Sequence, residues 1–212
     1  TFTYKIGYPN KWTDYSKVEI DTSKLFENVM KINTFEIKKQ LKEFGKETDK
    51  DKWGMNAHEV NAYYNPLFNE IVFPAGILQA PFFNAEADDA LNYGGIGGVI
   101  GHEFSHGFDD QGSQFDANGN LKNWWSDEDR TKFDELTSKL ATQYDKFEIL
   151  PNVKVNGKFT LGENIADQGG VILSYYALLK EYQNKPEPAL INGMNYKQRF
   201  FLGWATVWRN NS

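Results

Sequence analysis

Apolar side chains recur with roughly helical spacing along several long segments of this sequence. Between Ser23 and Phe44 they stand at positions 25, 26, 29, 37, 41 and 44, and Gly45 follows where a helix end is expected. Ser126, followed by three acidic residues, has the features of a helix N-terminus. The pattern predicts five helices, at residues 23–44, 87–108, 126–147, 160–182 and 196–208.

Segments rich in β-branched and aromatic residues are fewer and shorter. Residues 60–64 and 70–73 predict a β-hairpin around the turn-prone stretch 65–69. The pair Asn156-Gly157 predicts a second, small hairpin. Residues 1–20 are expected to be irregular or weakly extended, because glycine, proline and asparagine interrupt any regular period. We therefore expect a mainly α fold with a small β-sheet, of the α+β class, in a single domain over residues 1–212.

The predicted helix at 87–108 contains an unusual run of glycines, at positions 94, 95, 97, 98 and 101. Glycine inside a helix costs about 1 kcal/mol per residue relative to alanine. Close packing or close backbone approach is the expected compensation.

Composition narrows the classes of function. The 212-residue chain has no cysteine, which excludes thiolate metal sites and cysteine nucleophiles. Its formal net charge of -6 has the wrong sign for a protein that binds phosphate backbones, so no nucleic-acid partner is predicted. No stretch approaches the roughly 20 apolar residues that a membrane span requires, so no membrane segment is predicted either.

The most informative short motif is His102-Glu103-Phe104-Ser105-His106. On a helix, the two histidines are one turn apart on the same face and can bind one metal ion, and neutral imidazoles suit Zn²⁺. Glu103 lies about 100° around the helix, where it can take a proton from a water on that metal without being a ligand. The alternative is a surface helix with two incidental histidines.

A catalytic zinc ion needs a third protein ligand, and the sequence offers few. The third histidine of the metzincin pattern would fall at position 112, which is glycine, so that class is excluded. The best candidate is Glu163, with Asp167 one turn later to accept the N–H of a ligating imidazole. The pattern Thr160-x-x-Glu163 also matches a capping box, in which Glu163 would only satisfy a helix N-terminus. Spacing alone leaves both interpretations open.

Asp109 and Asp110 follow His106 by three and four residues. Either could orient that imidazole, and a solvated helix end is the alternative.

Five motifs in order resemble the neprilysin family of zinc endopeptidases, which includes endothelin-converting enzymes and bacterial endopeptidase O. The resemblance extends from about Trp53 to Trp208, so the motif-bearing part is 53–208. It implies a thermolysin-like zincin catalytic core with one Zn²⁺ per chain, general base Glu103, and Asp167 supporting a ligand. The implied zinc ligands are His102, His106 and Glu163. The motifs are VNAYY at 60–64, IVFPAGIL at 71–78, NYGGIG at 92–97, GHEFSHGFDD at 101–110 and GENIAD at 162–167.

The resemblance also implies how peptide substrates are bound. Asn61 and Ala62 would hold the substrate backbone. An apolar pocket would receive the side chain after the cleaved bond, favouring cleavage on the amino side of apolar residues; its implied lining is Ile77, Phe82, Val99 and Trp208. Ordinary core packing is the competing account for these four. Gly98 replaces the larger residue of neprilysin itself, so a roomier pocket is expected.

The sequence departs from the family in length. It ends before the histidine and arginine with which the family stabilises the oxyanion, and it lacks the large helical N-terminal region that covers the active site. We therefore expect a truncated catalytic core, with the remainder of a longer protein covering the site and self-association possible. Zinc binding without efficient hydrolysis is the alternative activity. The lack of cysteine favours a bacterial-type protein, cytoplasmic or exported.

Overall fold

The computed structural model describes residues 2–209 of the chain, which form two compact units. One comprises residues 2–8 and 55–209, and the other comprises residues 9–54. The single domain expected over 1–212 stays a prediction. Within the described residues no helix is both long enough and apolar enough to cross a bilayer.

The smaller unit is built around helix α1, Leu25–Glu43, close to the predicted 23–44. Asp21 and Asn28 exchange hydrogen bonds: the Asp21 N–H donates to Asn28 Oδ1 at 3.0 Å, and Asn28 Nδ2 donates to the Asp21 carbonyl at 2.6 Å. These bonds fix the chain as it enters the helix. Gly45 has φ +77° just after the helix, as predicted for a C-terminal glycine. Every residue of α1 is at least partly exposed.

A three-stranded sheet lies in the larger unit. Its strands are β1 (Thr3–Gly7), β2 (Tyr63–Asn65) and β3 (Glu70–Pro74), in the order β1-β3-β2. The predicted hairpin is confirmed as the antiparallel pair β2–β3. Strand β3 is central and completely buried, which leaves β2 as an edge strand.

Residues 1–20 were expected to be irregular or weakly extended, but part of this segment forms the regular strand β1, which pairs in parallel with β3. Lys5 Nζ lies 2.8 Å from the carboxylate of Glu70, a side chain that is only 2% exposed. This pairing joins segments more than sixty residues apart, so the local pattern of residues 1–20 carries no sign of it.

The hairpin predicted at Asn156-Gly157 is also wrong. The short strands β4 (Glu148–Leu150) and β5 (Val153–Lys154) pair instead around Asn152, which has φ +66°. The Gly157 N–H donates to Asp145 Oδ1 at 2.7 Å, and a side chain at 157 would strike the Ala141 carbonyl. Packing against the neighbouring helix therefore decides the conformation of the Asn-Gly pair.

The mainly helical expectation is confirmed. The predicted helix at 87–108 is divided into α2 (Asp89–Asn92), a π-helical turn (Tyr93–Gly97) and α3 (Gly98–His106). Ser126 caps the helix that follows it by accepting the Asp129 N–H at 3.1 Å, as its position predicted. The three remaining long helices follow the predicted segments: α4 (Asp127–Tyr144), α5 (Leu161–Tyr182) and α6 (Tyr196–Val207).

The glycines of this region permit close contact between helices, as expected. A Cβ atom at Gly101 would lie 2.7 Å from the Gly170 carbonyl oxygen. One at Gly170 would lie 2.5 Å from the Gly98 carbonyl oxygen and 2.7 Å from the His102 nitrogen. Helices α3 and α5 therefore meet backbone to backbone, beside the first histidine of the motif.

Gly170→Ala is expected to lower the free energy of unfolding by about 1–3 kcal/mol, because the added methyl meets backbone atoms that cannot rotate away. The helix propensity of alanine acts in the opposite direction. Urea denaturation of the metal-free chain measures the change, with Gln168→Ala on the exposed face of the same helix as control. Equal stability of the two variants would show that the helices separate at no cost.

Candidate metal centre

The two motif histidines face each other along the C-terminal half of α3. Their rings are nearly perpendicular, with centroids 4.5 Å apart, and the two Nε2 atoms are separated by 2.9 Å. Nδ1 of His102 lies 2.8 Å from Asp167 Oδ1, and Nδ1 of His106 lies 2.7 Å from Asp109 Oδ2. An ionised carboxylate only accepts hydrogen bonds, so each Nδ1 is the donor. In the neutral rings, both Nε2 atoms then present a lone pair.

Glu163, in the first turn of α5, offers a third atom that could bind the same metal ion. Its Oε2 lies 3.4 Å from His102 Nε2 and 3.8 Å from His106 Nε2. The capping box that competed for this residue is not formed, since Thr160 makes no side-chain capping bond. The backbone N–H of Thr160, which a capping box would direct to Glu163, donates to the Asn156 carbonyl instead. The carboxylate is left facing the imidazoles.

The donor set fits a zinc ion. Tetrahedral zinc with bonds of about 2.0–2.1 Å holds its ligand atoms roughly 3.4 Å apart, near the observed 2.9, 3.4 and 3.8 Å. Two nitrogen lone pairs that face each other at 2.9 Å repel unless a cation lies between them. The ligand atoms of the three residues all lie within 4.8 Å of one another. This arrangement is more favourable with a shared metal ion than with the three side chains in direct contact.

Glu103 is held on the wall of the same site and is only 5% exposed. Burial raises the pKa of its carboxyl group above the usual range, although the nearby histidines and a hydrogen bond from the Tyr64 backbone partly offset this effect. A carboxylate with a raised pKa is a better proton acceptor than an exposed one.

Asp109 and Asp110, the two alternatives for orienting His106, have different surroundings. Asp109, which is 4% exposed, accepts the N–H groups of Gln111 and Gly112 at 2.8 and 2.7 Å with the oxygen that His106 does not use. Asp110 Oδ2 instead accepts from Gln111 Nε2 at 3.1 Å. The structure thus pairs His106 with Asp109 and directs Asp110 elsewhere.

The bond to Asp109 has an electrostatic consequence for His106. Burial lowers the pKa of the ring, but the Asp109 hydrogen bond and the charges of the surrounding carboxylates more than offset it, so the net pKa is raised. An imidazole in a field of negative charge is well placed to bind a cation.

An open cleft of about 490 Å³ runs past these groups. Asn61 and Ala62, just before strand β2, lie on its wall, and Asn61 Oδ1 accepts the Ala62 N–H at 2.9 Å. Five further cleft residues received no role from the sequence. Tyr63 and Tyr64 lie inside the motif at 60–64, and Pro66, Gln111 and Gly112 lie just beyond the motifs. Their nearness to the motifs along the chain was the available signal.

The four residues expected to line an apolar pocket are divided by the structure. Ile77 and Val99 belong to one buried cluster, and Phe82 packs against that cluster. Trp208 follows the end of α6, is 49% exposed and has its ring 5.5 Å from that of Trp204. Ile77, Phe82 and Val99 therefore lie together, whereas the ring contact described for Trp208 is with Trp204.

The position of Gly98 does not leave the open space that was expected. A Cβ atom there would lie 2.8 Å from the Trp204 ring. The tryptophan takes the volume beside the glycine, so the absence of a side chain at 98 does not enlarge a pocket at that point. His58 is exposed and lies outside the residues that line the cleft.

Several known proteins have sequences similar to that of this chain. Peptidase family M13 matches residues 61–212. An endothelin-converting enzyme homolog of Locusta migratoria is 44% identical over 196 residues, which are 92% of this chain and 27% of that protein. Neprilysin of Homo sapiens is 43% identical over 216 residues, covering 96% of this chain and 29% of neprilysin.

Solved structures are similar as well. A crystal structure of the Mycobacterium tuberculosis zinc metalloprotease Zmp1 in complex with an inhibitor has a TM-score of 0.93 at 48% identity, covering 98% of this chain and 32% of that one. PepO from Lactobacillus rhamnosis has a TM-score of 0.83 at 37% identity, covering 98% and 31%.

This chain spans less than a third of the length of each of these proteins. The resemblance noted in the sequence is confirmed, because the family match extends over more than half of the chain and the relatives exceed 40% identity. The chain belongs to peptidase family M13.

Proposed function

We propose that this chain carries the zinc centre and general base of an endopeptidase. His102, His106 and Glu163 bind one zinc ion. The observation that carries this proposal is the convergence of the two Nε2 atoms and one carboxylate oxygen, with each imidazole N–H already bound to an aspartate. Such support fixes the tautomer and orientation of ligating histidines.

Different residues of the chain have separate roles in the proposed hydrolysis. Zinc, when bound, polarises the scissile carbonyl and makes a water more acidic. Glu103 takes the proton of the attacking water and returns it to the leaving amine. Its buried position and raised pKa support this role. Asp167 and Asp109 keep the two imidazoles in the tautomer that presents Nε2.

Peptides are the proposed substrates. Strand β2 is an edge strand beside the cleft, and an extended peptide can add to the edge of a sheet as a further strand. Asn61 and Ala62 hold the substrate backbone in this arrangement. The proposed pocket after the cleaved bond, which favours an apolar side chain, lies beside Ile77, Phe82 and Val99, which the structure brings together. Trp208, the fourth residue that the resemblance implies for this pocket, is half-exposed after the end of α6.

A second candidate is a chain that binds zinc but hydrolyses peptides slowly. Among the residues described, no lysine or arginine lines the cleft, so no cationic side chain is in place to stabilise an oxyanion. Loss of a single oxyanion donor costs about 10²- to 10³-fold in rate. Incubation of the zinc-loaded chain with a fluorogenic peptide that has phenylalanine after the scissile bond separates the two candidates.

The metal centre is tested by His102→Ala. We expect one zinc ion per chain in the wild type after dialysis, measured by atomic absorption, and less than a tenth of that in the variant, because a ligand and its bond to Asp167 are both lost. His58→Ala, which removes the exposed histidine, is the matched control and should keep one zinc ion. Full zinc occupancy in His102→Ala would overturn the assignment.

A further inference from the structure

Asp110 has a buried carboxylate oxygen with an unusual environment. Its Oδ1 is inaccessible to solvent and has no hydrogen-bond partner in the described part of the chain. The other oxygen, Oδ2, accepts from Gln111 Nε2 alone among the described residues. A buried acceptor without a partner is destabilising, and more so when it carries charge. Something near Oδ1 must offset that cost for the aspartate to be tolerated.

The first turn of α5 lies directly against this oxygen. A Cβ atom at Gly162 would lie 2.9 Å from Asp110 Oδ1 and 3.2 Å from Asp109 Oδ2, so any side chain at 162 would require the aspartates or the helix end to shift. The N-terminus of a helix carries a partial positive charge from N–H groups that lack partners inside the helix. The buried negative oxygen thus faces the positive end of the helix.

That helix end lacks a cap of its own. Thr160 occupies the N-cap position without a side-chain capping bond. Its hydroxyl donates to the Asn156 carbonyl at 3.3 Å and accepts from Asn164 Nδ2 at 2.9 Å. Asp110 Oδ1, which lacks a hydrogen-bond donor, therefore lies at Gly162 beside the N-terminus of α5, which lacks a side-chain cap.

Glu163 is the ligand that most needs such support. Each histidine is held by a hydrogen bond to an aspartate, whereas the described contacts of the Glu163 carboxylate are with the two imidazoles alone. Its side chain is 71% exposed. The position of this carboxylate therefore depends on the backbone of the first turn of α5, which begins one residue before Gly162.

We propose that Asp110 is a positioning residue that fixes the first turn of α5, and through it Glu163, for zinc binding. The inference rests on the proposed zinc centre. The adjacent aspartates then divide the support: Asp109 orients His106 on α3, and Asp110 orients the ligand on α5.

Asp110→Asn tests this role, because it removes the charge and keeps the shape. We expect zinc affinity, measured by competition with a chromogenic chelator, to fall about 10- to 100-fold, the range found for groups that support metal ligands. The d–d absorption of the Co²⁺-loaded chain should change as well, since it reports ligand geometry. Asp127→Asn is the control, as it removes an exposed carboxylate from the first turn of α4 and should leave zinc affinity within about twofold of wild type.

Gly162→Ala provides a second route, since its methyl group would push the helix end away from both aspartates. It should also weaken zinc binding and alter the Co²⁺ spectrum. Urea denaturation of each metal-free variant establishes that it is folded before metal is added. Wild-type zinc affinity and an unchanged Co²⁺ spectrum in Asp110→Asn would refute the inference. If His102→Ala abolishes zinc binding in the same series, the zinc centre stands and only the role of Asp110 fails.

Discussion

Glu103→Gln is expected to lower the rate of peptide hydrolysis by about 10²- to 10⁴-fold while zinc remains bound. Glutamine keeps the size of the side chain but cannot accept the proton of the attacking water. The three ligand residues are unchanged, so zinc affinity should stay within a few fold of wild type. Turnover of a fluorogenic peptide and zinc content after dialysis are measured on the same samples.

Glu135→Gln, on the exposed surface of α4, is the matched control and should have the wild-type rate. A Glu103→Gln variant that hydrolyses peptide as fast as wild type would remove Glu103 from the mechanism. Loss of zinc from that variant would instead show that the carboxylate holds the metal site together.

Arg199→Met should destabilise the chain by about 3 kcal/mol, because it leaves the partly buried Asp88 carboxylate without its partner. Arg199 is 2% exposed and bonds Asp88 through two nitrogens, at 2.7 and 3.0 Å. It also donates to the Met194 carbonyl at 2.7 Å. Since Asp88 immediately precedes α2, the pair ties α6 to the segment that leads into the histidine helix.

Urea denaturation in the presence of a chelator measures this loss without interference from metal. Arg130→Met is the control: its ion pair with Asp134 is largely exposed, and its removal should cost less than about 1 kcal/mol. The double variant Asp88→Leu/Arg199→Met should recover much of the lost stability, since it removes both charges together. A single variant as stable as Arg130→Met would mean that the buried pair contributes nothing.

Most of the long helices could be predicted from local sequence pattern alone. Their spacing, caps and acidic first turns are properties of neighbouring residues, so α1, α4, α5 and α6 could be predicted within a few positions. Strand β1 could not, because its partner β3 is more than sixty residues away. The hairpin expected at Asn156-Gly157 failed for a related reason, as contacts with α4 determine that turn.

The candidate metal centre likewise contains features that local pattern predicts and features that it does not. The pair of histidines one turn apart, with a glutamate between them, is set by helical periodicity and is visible in the sequence. Periodicity within one helix says nothing about how that helix sits against another. Glu163 as a ligand or a cap, and Asp109 or Asp110 as the partner of His106, were therefore alternatives that spacing left open.

The sequence by itself determined the helical character of the chain, the spacing of the two histidines in its central motif and the resemblance to a peptidase family. Only the tertiary structure decided which carboxylate faces which imidazole. The physical reason is the contact between α3 and α5 at Gly101 and Gly170. That contact joins positions some seventy residues apart and brings Glu163 and Asp167 to the histidines, and no local propensity encodes it.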